Sequence, residues 1–180
     1  MDVKIQVVPA DQLAAGEQAA LEALRSAAYP PDAAGSWAGR GREWAGPAYR
    51  VLVWQADGRL AAHVGLVLRA ALADEQSVHV GGVGGVVTHP ELRRQGLAAA
   101  AMARAVDFLR ARGDVDFALL VCEPHMLAYY GRLGWQPFGG RLVVRQWGER
   151  EEFTFNRVMT YPLRSAPAPE GVVDLLGPPW

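Results

Sequence analysis

One cysteine, Cys122, stands in the whole chain, so no intrachain disulfide and no cysteine-based metal site can form. Lysine is almost as scarce: of 18 basic residues only Lys4 is a lysine and the rest are arginine. Charge of one sign is lacking too. The formal net charge is -1, which gives no general attraction to nucleic acid or to an anionic membrane. No apolar run approaches the roughly 18 residues of a membrane span. The start, Met-Asp-Val-Lys-Ile, has no apolar core after a basic region, so the cytoplasm is the default compartment.

Apolar residues are plentiful, at 51% of 180, enough for one sizeable core and one domain spanning 1–180. Residues 3–8 alternate like a strand. Asp11 reads as the N-cap of a helix running to about Ala27. Prolines 30 and 31 and Gly35 mark a loop, after which a short helix fits Ser36 to Trp44. The period then changes. Tyr49 to Gln55 and Arg59 to Leu72 form a hairpin about Asp57-Gly58, and Ser77 to Thr88 adds a third strand after Asp74-Glu75.

A helix over 94–112 carries Leu97, Met102, Val106 and Leu109 on one face and ends at Gly113. Asp116 to Cys122 is nearly all apolar, as a buried strand beside a crossover helix would be. Pro124 opens a helix that stops at Gly134. Arg141 to Trp147 and Phe153 to Tyr161 read as a last pair of strands, followed by a proline-rich, extended tail.

The segment with the most chemistry runs from Gly84 to Ala98. A strand leads through Arg93-Arg94-Gln95-Gly96 into a helix beginning Leu97-Ala98. The first turn of a helix presents unpaired N–H groups at its positive end, a glycine lets a ligand approach the backbone, and the arginines add charge. Together these suit a pyrophosphate. The bland alternative is a strand-to-helix turn with two solvated arginines.

Arg93-Arg94-Gln95-Gly96-Leu97-Ala98 resembles the coenzyme A loop of GNAT acetyltransferases, (Arg/Gln)-x-x-Gly-x-(Gly/Ala). Ala128-Tyr129-Tyr130-Gly131-Arg132-Leu133-Gly134-Trp135 resembles their second motif, a tyrosine-bearing helix ending at Leu-Gly-aromatic. The resemblance implies an α/β (α+β) fold: a mixed central sheet of about seven strands, splayed between strands four and five, with about four helices. It implies acetyl-CoA as cosubstrate and no metal. The pyrophosphate would sit at Arg93, Arg94, Gln95, Gly96, Leu97 and Ala98. The pantetheine arm would pair with strand four near Val86 and Val87, where a bulge frees an N–H to polarise the thioester. Glycines 81, 82, 84 and 85 suit such a strand.

Within that superfamily the chain is most similar to the aminoglycoside 2′-N-acetyltransferases, through Leu60 to Val64, the acidic stretch Glu149 to Glu152 and a terminal tryptophan. This implies transfer to a primary amine of a small, polycationic, aminoglycoside-like acceptor. Asp32, Glu152 and Trp180 are the expected acceptor contacts. Glu149, Glu151 and Asp174 are further carboxylates, and Trp37, Trp44 and Trp147 further aromatic faces. Those enzymes place a glutamate base on strand four where this chain has Gly84.

Tyr130 is the expected general acid. The base stays open among the carboxylate of Trp180, His63 or His79, and water relayed from Glu123. Other readings keep the fold but change the acceptor to a peptide N-terminus or a metabolite amine, or leave a CoA-binding module without catalysis. A homodimer is compatible with the sequence, and nothing in it demands one.

Overall fold

The computed structural model describes residues 2–29 and 38–180. Asp32 and Trp37, expected near the acceptor, lie outside the described residues. The chain runs β1 (Val3–Pro9), α1 (Ala15–Ala28), β2 (Tyr49–Gln55), β3 (Leu60–Ala73), β4 (Gln76–Thr88), α2 (Leu97–Arg112), β5 (Phe117–Cys122) and α3 (Leu127–Arg132). Then follow β6 (Gln136–Pro137), β7 (Arg141–Gln146), β8 (Glu149–Glu152), β9 (Arg157–Pro162) and β10 (Val172–Asp174).

All strands join one sheet in the order β6-β9-β5-β4-β3-β10-β7-β8, with β1 and β2 attached to β3. β3 is long enough to serve two partners on one edge. Leu60 to Leu66 pair with β2, and Leu72 and Ala73 pair with β10. The sheet is antiparallel except where β4 meets β5 and β10 meets β7.

Local chemistry sets the turns. Gly58 takes φ 83° between β2 and β3, and Arg59 N–H donates to Asp57 Oδ1 at 3.0 Å. Asp74 and Glu75 both take positive φ, as a two-residue hairpin turn matched to strand twist requires. α1 begins at Ala14 rather than Asp11, because the Glu17 carboxylate takes the Ala14 N–H at 3.0 Å. α2 begins at Leu97, three residues later than expected, because Arg94 and Gly96 adopt left-handed backbone.

The two late strands do not pair with each other. β7 lies between β10 and β8, while β9 lies between β5 and β6. The acidic stretch is itself a strand, β8, the proline-rich tail contributes β10, and Gln136–Pro137 adds the short β6, which brings the strands among the described residues to ten instead of about seven. No helix among the described residues is long and apolar enough to cross a membrane.

Strand alternation divides the core between the two faces of the sheet. Ala62, Val64 and Leu66 of β3 and Ala118 and Leu120 of β5 pack with Met102, Val106 and Leu109 of α2. On the other face, Val67, Ala71, Val80, Phe117 and Leu119 pack under Leu142, Val144, Val173 and Trp180. Beyond them on that face Leu21 and Leu24 of α1 cover Leu52, Leu60 and Val87.

β4 and β5 pair only over Val80–Gly82 and Phe117–Leu119, and then part. The indole of Trp180 is seated where they part, 8% exposed, with Nε1–H donating to the Leu119 carbonyl at 3.0 Å. The Arg69 guanidinium lies 5.5 Å from the ring centroid and donates to the Pro178 carbonyl. The Ala45 N–H donates to the Pro179 carbonyl at 2.6 Å.

A Cβ at position 82 would run into that indole. Gly82→Ala is therefore expected to lower stability by about 1–3 kcal/mol, the range for overpacking a filled core. Denaturant unfolding followed by tryptophan emission measures it. Unchanged stability and emission would show that the indole is not held against β4.

Candidate functional site

The end of β4, the turn before α2, α3 and the end of α1 line a cleft of about 620 Å³. β4 contributes Val86, Val87 and Thr88. The turn and first residues of α2 contribute Arg93, Arg94, Gly96, Leu97 and Ala98. Tyr129 and Tyr130 of α3 form the facing wall, with Ala28 and Tyr29 at the end of α1. Seven of the eight expected coenzyme A contacts thus share one cavity with Tyr130. Gln95 is exposed and does not belong to the wall.

The start of α2 is built for an anion. Gly96 takes φ 79°, no atom would approach its Cβ within 4 Å, and no acidic residue stands in the first turn. The first free N–H groups and the positive helix end face this turn without a competing carboxylate. Among the described residues no group of three or more His, Cys, Asp or Glu is placed to hold a metal ion.

Between β3 and β4 the register passes from Gly65–Gly84 to His63–Val87, so Gly85 and Val86 together oppose Val64. This is a one-residue bulge, with Gly85 at φ 56°. His63, 1% exposed, braces it: one ring nitrogen, Nδ1, lies 2.9 Å from the Gly85 carbonyl, and Nε2 lies 3.2 Å from Arg50 Nη1. A carbonyl only accepts and a guanidinium only donates, so the imidazole is neutral with its proton on Nδ1. Burial, and after it the charges of Arg50 and Arg25, hold the His63 pKa at about 4 despite the lift from the Gly85 carbonyl.

Both ring nitrogens of His63 are therefore engaged, and neither is free to take a proton from an acceptor. His79 lies far from the bulge, exposed near the start of β4, with its N–H on Asp116 Oδ2 at 2.8 Å. Tyr130 is buried, and burial raises its phenol above the ordinary tyrosine value, so it keeps its proton. Its hydroxyl side chain faces the same cleft as Val86.

Trp180 does not line this cleft; it packs against Gly82 and Gly84 of β4. Its carboxyl carbon comes within 3.1 Å of the point where a Cβ on Gly84 would stand. The acids expected around a polycation are dispersed. Glu152 is on β8, 4.0 Å from Arg141, while Glu151 pairs with Arg42 at 2.7 Å. Asp174 is buried and pairs with Arg150 at 2.9 Å. Trp147 is 70% exposed at a hairpin tip, and Trp44 is packed in the core edge. Sequence reading missed Arg50. Its only signal was a lone cation on the otherwise apolar run Val51-Leu52-Val53.

A neutral, buried His63 makes stability depend on pH. Its folded pKa lies below the unfolded value of 6.5, so the unfolded chain binds the proton first. The contribution is intact above pH 6.5, is lost as pH falls and is gone once pH passes about 4, a total of roughly 3 kcal/mol. Melting temperatures of the parent should fall between pH 7 and 4.5. The fall should be shallower in His63→Gln, which retains an amide to bridge Arg50 and Gly85. Parallel curves would remove His63 from the acid response.

The Acetyltransferase (GNAT) domain family matches residues 17–138. No curated protein sequence matches the chain. An acyl-CoA N-acyltransferase from Pseudomonas aeruginosa superposes with a TM-score of 0.62 at 21% identity, covering 89% of this chain and 99% of that one. A GNAT family N-acetyltransferase from Escherichia coli, solved in complex with CoA, superposes with a TM-score of 0.64 at 16% identity, covering 97% and 89%. The alanine N-acetyltransferase of a ribosomal protein from Escherichia coli has a TM-score of 0.56 at 19% identity, covering 91% and 96%. At these identities the likeness concerns the fold, while the family match spans the cleft, its anion-binding turn and Tyr130: the chain belongs to the GNAT superfamily and is an acyltransferase of that family.

Proposed function

We propose that the cleft binds acetyl-CoA and that the chain transfers the acetyl group to a small primary amine. The observation that carries this is the convergence of the β4 bulge, the open turn at Gly96 and Tyr130 on one cavity. Acetyl-CoA supplies an acetyl group activated as a thioester. The N–H groups at the start of α2, with Arg93 and Arg94, bind the pyrophosphate. Backbone of β4 at Val86 and Val87 aligns the pantetheine arm, and the bulge aims an N–H at the thioester carbonyl.

Two proton movements complete the transfer. The Tyr130 phenol, kept protonated by burial, donates to the departing sulfur. In a chain that ends at Trp180, the terminal carboxylate takes the proton that the attacking ammonium must lose, directly or through one water. It occupies the space that a side chain on Gly84 would fill, where the resembling 2′-enzymes have a glutamate. Docking is favoured by Pro178 and Pro179, which restrict the unfolded tail.

The finer reading, an aminoglycoside-like polycation, draws its support from the sequence resemblance. Glu151 and Asp174 are occupied by arginines, and Glu152 has Arg141 at 4.0 Å. A small amine with fewer positive charges suits the described site better.

Thiol release from acetyl-CoA with a panel of amines tests the activity. Tyr130→Phe should lower kcat by about 100-fold, the low end of general acid effects, with acetyl-CoA affinity unchanged. A short Gly-Ser extension after Trp180 keeps the indole and moves the charge, whereas deletion of Trp180 removes the indole and shifts the charge to Pro179. A large loss in the extended chain, with its melting temperature intact, assigns the base to the carboxylate. Loss in the deletion alone assigns only the indole a role, and parental rates in both make the tail a bystander.

A further inference from the structure

Arg50 is an awkward residue for its place. It sits on β2 beside the buried Val51, half-buried itself, and its Nε is buried with no hydrogen-bond partner among the described residues. Its side-chain partner among the described residues is the neutral His63, and burial followed by the charge of Arg25 lowers its pKa. No carboxylate among the described residues forms an ion pair with Arg50 or Arg25, and Trp180 is not within ion-pair reach of either. A guanidinium set on a buried neutral imidazole, with no acid paired to it and with Arg25 of α1 adding charge of the same sign, leaves positive charge there without a countercharge. Fixing the His63 tautomer does not require this, since any neutral N–H donor would do so without charge.

The position of this charge is informative. Arg50 connects through His63 to the Gly85 carbonyl, in the bulge whose next residue, Val86, lines the cleft. Arg25 is in the last turn of α1, where its carbonyl accepts the Tyr29 N–H, and Ala28 and Tyr29 border the same cleft. Gly84 faces the Trp180 carboxyl group while Gly85 faces His63. The Trp180 carboxyl group therefore stands against Gly84, while the charge of Arg50 lies one residue further out, behind the neutral imidazole that faces Gly85.

We infer that the acceptor is zwitterionic, an amine that also carries a carboxylate, and that Arg50 and Arg25 bind this carboxylate while the amine is turned toward Trp180. This rests on the reading of the chain as an amine acetyltransferase and narrows its substrate to amino acids and short peptides with a free carboxyl end. Charge-assisted hydrogen bonds from a guanidinium are among the stronger ones, and the planar fork matches a carboxylate. The same charge disfavours a polycation, whose ammonium groups would approach two arginines.

The experiment pairs amino acids and dipeptides with their C-terminal amides, adds tobramycin and spermidine as polycations, and measures kcat/KM by thiol release. At least one free-carboxylate acceptor should exceed its amide by 10-fold or more. Arg50→Gln should collapse that ratio to within about two-fold, through the KM of the free acid; the ratio is read because any change in the bulge that Arg50 helps to hold affects acid and amide alike. Arg25→Gln, an exposed position that does not endanger folding, should reduce the ratio part of the way. Amides or polycations that equal the free acids overturn the inference and leave the acetyltransferase reading intact. So does a carboxylate preference that survives in a folded Arg50→Gln. Binding of acetyl-CoA with no turnover of any amine overturns both.

Discussion

The parting of β4 from β5 after Gly82 is the constraint around which the rest of this molecule is arranged. A parallel pair that separates leaves backbone N–H and C=O groups of both strands without their ladder, and such groups are costly unless something else meets them. β5 is secured on its other edge by six register pairs with β9, and β4 by eleven with β3, so neither strand can close the gap by moving. The indole of Trp180 is seated at the place where the strands part. α2 and α3 flank the parting, and this is why the turn at Gly96 and the phenol of Tyr130 face one cavity.

The same constraint explains the glycines of β4. Gly81 lies against Leu109 of α2 and Gly82 against the indole of Trp180, on opposite faces of the strand. Side chains at these positions would push away a helix on one side and the tail on the other. The tail's last residue then works as a wedge, its indole N–H meeting the Leu119 carbonyl of β5 while its ring lies against Gly82 of β4. A segment remote in sequence thus completes the core at the place where the sheet is weakest.

On the acceptor face the bulge is held by a chain of two hydrogen bonds, Arg50 to His63 to Gly85. Each member limits the next. The guanidinium cannot accept, so the imidazole cannot be charged, so its proton is committed to the carbonyl of the residue with φ 56°. A protonatable side chain becomes a fixed spacer by this means, and the acid–base work is left to groups beyond it.

Much of this was legible in the primary sequence, because it depends on patterns within short windows. The hairpins at Asp57-Gly58 and Asp74-Glu75, the anion-binding turn at Arg93 to Ala98, and Tyr130 on a short helix are each set by neighbours in the chain. Strand partners late in the chain were not legible: Arg141 to Gln146 and Arg157 to Pro162 are both apolar and β-forming, and alternation does not say which edge each one joins. The start of α2 was misplaced by three residues because left-handed backbone at Arg94 has no marker in residue type. Arg50 was invisible as a site residue, since its meaning depends on His63 across the ladder and on Arg25 from a separate helix. The sequence alone determined the two hairpins and the residue types of the turn that leads into α2, where spacing along the chain sets the geometry. Only the tertiary structure decided that Trp180 fills the space left by Gly84 and that Arg50 reaches the bulge through His63, because both depend on burial and on distances between residues far apart in the chain.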